Sequence, residues 1–360
     1  MTASSFRDYL FTPDHPRVAE IRGLNAREYA EAATRDSFAG PMIEGWQKLY
    51  PQPFKGITND GVLRPGLYPL APARAGEEAP TAEMTAAARK LLDAVTLEQA
   101  SRLSYAVDAP EWQSWANPEF MQHDTGLRLD ELDAPVRDAV FAVVEASLSP
   151  AGFELVRNLM RINGFLGELV ELPLLMNEFS YNFALFGEPS ETKPWGWQLF
   201  GHHAALNCLV MGTQLVVSPV FMGAEPDVID AGPYQGVAVF KERIALARQL
   251  MAALPSELRT EATVYASMVD RAMPEDRLHA GDERHLGGCF QDNRIIPYEG
   301  ILVADMPPEA RAILDAVVED FIAYLPDGPR AARRSEGCPA PRDHRPLRRE
   351  LLQLDRRLAR

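Results

Sequence analysis

Residues 195–221 carry three apolar runs in close succession, WGWQLFG, ALNCLVM and QLVVSPVF, the last two separated only by Gly212-Thr213. Runs this rich in β-branched and aromatic residues, joined by so few others, have room only to turn back on themselves. An antiparallel meander is therefore the economical reading. Just upstream, NEFSYNFALF alternates: Phe179, Tyr181, Phe183 and Leu185 face one way while Glu178, Ser180 and Asn182 face the other, the period of a strand. Residues 206–222 form the most apolar long stretch, yet Asn207, Gly212, Thr213, Gln214, Ser218 and Pro219 interrupt it. That is too much polarity for a membrane span.

A sheet over 174–222 has to be covered, and the flanking chain has a helical period. Met84, Leu91, Leu92 and Val95 begin one helix, and Thr96 with Gln99 forms a capping box for the next. Val136, Val140, Val143, Val144 and Leu148 line another; Ser149-Pro150 then reads as N-cap and N1 of a helix through Phe153, Val156, Leu159 and Met160. Helical spacing returns over 238–254 and over 307–325, the latter through Ile313, Leu314, Val317, Val318, Phe321 and Ile322. The expected fold is α+β, a helical N-terminal half packed on a mainly antiparallel sheet with further helices toward the C-terminus. Residues 1–70 read as an irregular N-terminal segment of short helical pieces mixed with turn signals, with a hairpin or structured loop near its end. Residues 71–328 read as a single α+β domain: helical layer 84–170, sheet 174–222, helices 238–325.

Charge limits the partners. The chain carries −15 overall, which argues against nucleic acid or an anionic membrane. From Pro329 to Arg360 there are ten Arg against four acidic residues, so the first 328 residues carry −21. This basic Arg-rich tail, 329–360, reads as a solvated or loosely docked end, with LRRELLQLDRRLAR able to form a short amphipathic helix. Three scattered cysteines without a CxxC spacing suit a reducing compartment, and the first twenty residues show no basic-then-apolar signal pattern. A cytoplasmic location is the expectation.

Of seven histidines, only His202 and His203 fall where a strand or its edge would hold them. Consecutive strand residues point to opposite faces, so both can serve one ion only if the chain bends. Gly201 is the residue that permits such a bulge or tight bend. Glu178, Asn182, Gln198 and Asn207 supply polar neighbours, and imidazole plus carboxylate with an open position is a zinc or iron donor set. The alternative is that both imidazoles simply hydrogen-bond neighbouring strands or a helix end. Trp195 and Trp197 share a strand face as core or pocket wall. A second dense stretch, HLGGCFQDNRIIPYEG, offers Cys289 with His285 as a thiol and base if Gly287-Gly288 folds back, or Asp292 and Arg294 as a loop anchor. Arg294 could also bind a substrate carboxylate. Phosphate-loop, dinucleotide, nucleophile-elbow and HExxH patterns are absent.

PFKGITNDGVLRPGLYPL, PEWQSWANPEF, RINGFLGEL and, above all, FALFGEPSETKPWGWQLFGHHAALNCLV with VVSPVFMGAEP resemble the bacterial and fungal family catalogued as domain of unknown function 3500, over residues 50–325. The resemblance implies a paired-histidine strand as signature, His202 and His203 here, with Trp195, Trp197, Gln198 and Asn207 around it. It also implies continuation past the helix at 307–325 into aromatic strands and a histidine-bearing segment. This chain departs there, becoming Arg-rich after Ala332, as a shortened, frameshifted or subfamily-specific end would.

These residues lead to an expected metal-dependent enzyme, hydrolase-like, acting on an amide or ester bond of a small organic molecule. Catalytic and metal-ligating roles fall to His202, His203 and Glu178, around zinc or iron. Trp195, Trp197, Gln198, Asn207 and Arg294 would bind substrate. The alternatives are a non-haem iron oxidoreductase and a non-catalytic small-molecule binder. The expected partner is a small molecule, with neither nucleic acid nor membrane, and homo-oligomerisation is left open.

Overall fold

The computed structural model describes residues 5–33, 40–53, 55–65, 72–119, 121–266, 272 and 293–337. The fold is α+β, and its centre is the expected meander. Strands β3 (Tyr181–Phe186), β4 (Trp195–Gly201), β5 (Ala204–Met211) and β6 (Gln214–Met222) pair antiparallel in sequence order. Two short strands extend the other side of β3: β1 (Ser104–Tyr105) runs parallel to it and β2 (Leu127–Arg128) antiparallel. Pro219 would cost a central strand a ladder bond. It is tolerated in β6, an edge strand, beside a register shift at Leu206/Cys208.

One face of the sheet is covered by helices. α4 (Thr81–Ala94), α5 (Leu97–Leu103), α6 (Ala134–Ser147) and α7 (Pro150–Leu169) follow the predicted stripes. Met84, Leu91, Val140, Val143, Val144, Val156 and Met160 are fully buried against Phe183, Trp195, Trp197 and Leu199. The capping residues act as the sequence requires. The Thr96 side chain and Gln99 satisfy each other's backbone N–H groups, and the Ser149 hydroxyl accepts from Gly152 N–H at 2.9 Å.

The N-terminal segment contains short helices, as its mixed pattern suggests, and they pack together. α1 (Pro16–Ala19), α2 (Ala26–Ala33) and α3 (Gly40–Leu49) build a second core in which Tyr29, Ile43 and Trp46 pack on Leu166, Leu175 and Met176 at the far end of α7. Toward the C-terminus, α8 (Lys241–Ala253), α9 (Ser256–Ala262) and α10 (Pro308–Ile322) are peripheral: α8 packs on α10, and α8 and α9 have no buried residue. The predicted stripe of α10 is largely left outside the main core: Val318 and Phe321 are about half exposed, and only Ala310 is buried. The Arg-rich tail begins within α11 (Asp327–Gly337), where Arg334 pairs with Glu319. The rest of that tail lies outside the described residues, as do Cys289, His285 and Asp292.

Candidate metal centre

His202 and His203 are not strand residues. Gly201 closes β4 by pairing with Ala204, the first residue of β5, so the two histidines are the whole of the connecting turn. The bend is made by His203 itself, at φ 60°, in the left-handed region that non-glycine residues rarely occupy. The bulge or tight bend expected at Gly201 falls two residues later, and Gly201 serves differently. A Cβ there would meet the Tyr181 ring at 2.5 Å and Ser180 O at 2.9 Å, so it is the missing side chain that is needed. In a turn the alternation rule no longer applies, and the two imidazoles stack with centroids 3.8 Å apart.

Each ring is held from behind. On α7 the buried Asn163 donates both N–H bonds of its amide, to Asn177 O at 2.8 Å and Ser180 Oγ at 2.9 Å, which fixes its Oδ1 toward His202 Nδ1 at 2.9 Å. A carbonyl oxygen only accepts, so Nδ1 carries the proton and the lone pair of the neutral ring sits on Nε2. That is the usual support of a metal-bound imidazole. Tyr181 Oη also donates to His202 O at 2.9 Å. Burial, aided by the neighbouring His203, pushes the His202 pKa well below its ordinary value, so the ring stays neutral and able to coordinate.

His203 is fixed by Asn117, whose carbonyl accepts its backbone N–H at 3.0 Å and whose Oδ1 lies 3.2 Å from Nδ1. The other ring nitrogen faces Glu225 Oε2 at 3.2 Å. Two ligands each roughly 2.0–2.1 Å from a tetrahedral zinc stand about 3.3 Å apart, so this pair already has the spacing of one edge of a coordination sphere. The hydrogen bond from His203 holds the Glu225 carboxyl below the usual carboxylate range. Ligand atoms of His202, His203 and Glu225 all lie within 4.8 Å of one another, the one such group among the described residues. Close by, Glu119 takes a 3.5 Å hydrogen bond from Tyr29 Oη; burial raises its pKa, while His203 and Glu225 act on it in opposite senses.

Glu178 is not part of this group. The strand begins only at Tyr181, so Glu178 lies in the preceding turn and takes hydrogen bonds from Arg157 Nη2 at 2.6 Å and Tyr234 Oη at 2.9 Å. Its place is filled by Glu225, which the sequence reading missed. The signal was available: β6 returns antiparallel along β5, pairing Met222 with Ala204, so the first carboxylate beyond β6 must arrive beside the histidine turn.

The expected substrate binders divide. Trp195 and Trp197 are fully buried on the helix-covered face, with Trp197 Nε1 donating to Ser147 Oγ at 2.9 Å; they are core. Gln198 and Asn207 are buried cross-strand partners on the other face. Gln198 Nε2 donates to Asn207 Oδ1 at 2.6 Å, and Asn207 Nδ2 to Pro219 O at 2.8 Å, which ties down the β5–β6 irregularity. At about 3.3 Å per residue they stand roughly 13 Å along the strands from the turn. Arg294 lies in a segment that pairs with Thr58 outside the sheet, its carbonyl accepting Thr58 N–H at 3.2 Å.

A helix-covered, mainly antiparallel sheet with two histidines and a carboxylate gathered at one of its turns is the class of protein these observations define. The chain belongs to the family described as "Protein of unknown function (DUF3500)", whose sequence pattern matches residues 77–338. No curated protein and no solved structure gives a significant match. No helix among the described residues is long and apolar enough to cross a membrane.

Proposed function

We propose that the chain is a divalent-metal-dependent hydrolase acting on an amide or ester bond of a small organic molecule, with His202, His203 and Glu225 as the ligands. The observation that carries this reading is the convergence of three donor atoms of the right chemistry, one of them an imidazole fixed as a neutral ligand by Asn163. Two imidazoles and one carboxylate leave positions open for substrate, and the exposed side of Glu225 is the way in. A bound zinc or iron ion supplies Lewis acidity and an acidified water. Asn163 and Asn117 keep the imidazoles aimed. Glu119, its carboxyl raised by burial and hydrogen-bonded to Tyr29, is suited to hold a proton for the leaving group. The same donor set is also that of non-haem iron oxygen chemistry.

The test is elemental analysis of purified protein beside His202→Ala and His203→Ala. Near-stoichiometric zinc or iron in the parent, lost in both variants, is the expected result. Less than about a tenth of an equivalent in the parent, unchanged by either substitution, sinks the reading. Chelator-sensitive cleavage of small ester and amide probes supports the hydrolase; oxygen consumption by the ferrous form favours the oxidoreductase.

A further inference from the structure

Asn163 can hold the His202 tautomer only while its own amide cannot turn over. What forbids the turn is the Asn177 carbonyl, which receives Asn163 Nδ2 at 2.8 Å: a flipped amide would set oxygen against oxygen there. The Ser180 hydroxyl donates to the same carbonyl at 2.9 Å, so it has no proton to offer a flipped amide either. Asn177 is held in turn by its side chain. Its Oδ1 accepts Phe179 N–H at 2.8 Å, and its Nδ2 donates to Asp130 Oδ2 at 3.1 Å, with Pro173 O farther off at 3.4 Å. Asp130, in the short helical turn Leu129–Glu131, sets its other oxygen 2.9 Å from Nε of Arg128 at the end of β2. A chain of carboxylate, two asparagines and imidazole therefore runs from Asp130 to His202.

Packing alone does not explain the Arg128–Asp130 pair. Its side chains are 7% and 21% exposed, and Arg128 Nη2 is buried without a hydrogen-bond partner among the described residues. Apolar side chains of similar volume are often as stable or more so in such a place. We propose that Asp130, held by Arg128, is a positioning residue for the metal centre. It fixes Asn177, which fixes Asn163, which keeps the proton on His202 Nδ1 and the lone pair on Nε2. Without Asp130, Asn177 Nδ2 has only the distant Pro173 carbonyl and the 177–180 turn can relax. Asn163 is then free to present its NH2 group to His202, and the ring proton moves to Nε2, where it blocks a metal. The consequence for metal binding rests on the function proposed above; the tautomer does not.

Two readouts on Asp130→Asn in the full chain test this. The single carbonyl left at that position cannot serve both Arg128 Nε and Asn177 Nδ2. In metal-free protein near neutral pH, the nitrogen-15 resonances of the His202 ring should show the proton on Nδ1 in the parent. In the variant it should be on Nε2 or divided between the two. Competition with a chromophoric chelator should show zinc bound about tenfold more weakly. Combining Arg128→Met with Asp130→Asn frees that carbonyl for Asn177 and should restore both readouts. Thr96→Ala removes the remote cap of α5 and weakens the fold without touching this chain, so it should alter neither. Urea unfolding of each variant reports folding. The parent tautomer in Asp130→Asn, or a tautomer change that the double variant does not reverse, overturns the proposal. A tautomer that shifts and recovers as expected, in a protein that binds no zinc, upholds the positioning role and removes the metal reading instead.

Discussion

Glu178 and Glu225 both end up against a basic side chain, and the two pairs behave as different kinds of object. Glu178 meets Arg157 at 2.6 Å with both side chains less than a fifth exposed, and Tyr234 takes its second oxygen. Glu225 meets His203 at 3.2 Å with its side chain mostly in solvent. A guanidinium has no lone pair to give, so the first cluster is closed: every strong acceptor site already has a donor. An imidazole can exchange its proton for a metal, so the second cluster is open. The difference shows that proximity of a carboxylate to a cation says little about function until the cation's own chemistry is counted.

Exchanging which carboxylate is lost gives the largest expected effects, and they should be opposite. Glu225→Ala should lower metal affinity by at least about a hundredfold, while costing no more than roughly 0.5 kcal/mol of stability, because exposed pairs contribute little. Glu178→Ala should leave metal content unchanged and cost about 2–3 kcal/mol in urea unfolding, because Arg157 is left partly buried without its counter-charge. Metal loss on removing Glu178 would break the distinction.

The support behind the open cluster sharpens it further. Asn163→Leu removes the acceptor that fixes the His202 tautomer and orphans that ring's N–H. Metal affinity should fall about 10- to 100-fold and stability by roughly 2 kcal/mol. Asn163→Asp restores an acceptor for Nδ1 and should recover most of the metal binding while losing the bonds to Asn177 O and Ser180 Oγ. Equal metal affinity in the two variants would reduce Asn163 to a packing role.

How far the sequence could foresee this depended on whether a rule was local. The capping box at Thr96 and Gln99, the N-cap at Ser149 and the alternation within β3 to β5 depend on a few neighbouring residues, and each is found in the fold. Extending alternation three residues too far, to Glu178, named a carboxylate that lies outside the histidine group. The left-handed His203 was hidden because nothing in an HH pair announces a turn in the way Asn-Gly does. Asn163 and Asn117 lie 39 and 86 residues before their histidines, at distances that only tertiary packing closes. The helical period over 307–325 is found as α10, but its stripe flanks a peripheral pair with α8, since a period reports a face and not what covers it.

Acid should also separate the clusters. In chelator-treated protein His202 is buried with its pKa well below the ordinary 6.5. Below that value the unfolded chain takes a proton that the folded chain refuses. Stability is therefore full above about pH 6.5 and falls as the pH drops, by up to roughly 1.4 kcal/mol per unit for this group. The slope should shrink in His202→Gln and persist in Glu178→Ala, since the Arg157 cluster contains no imidazole. An unchanged slope in His202→Gln would show that the ring is protonated in the fold and is not held as a ligand.

Tyr234→Phe is the mildest probe, and it tests whether the closed cluster is as closed as its geometry implies. The substitution deletes only the phenolic oxygen that donates to Glu178 Oε2, leaving the ring under Arg161 and the Arg157 pair in place. Tyr234 is 37% exposed, so water can take over the vacated acceptor, and the expected cost is about 0.5 kcal/mol, at the low end for a hydrogen bond. Metal content should not change. If the loss instead reached the 2–3 kcal/mol expected of Glu178→Ala, the phenol would be the chief partner of that carboxylate and Arg157 a bystander. The contrast between a guanidinium-closed and an imidazole-open cluster would then have to be redrawn around a tyrosine.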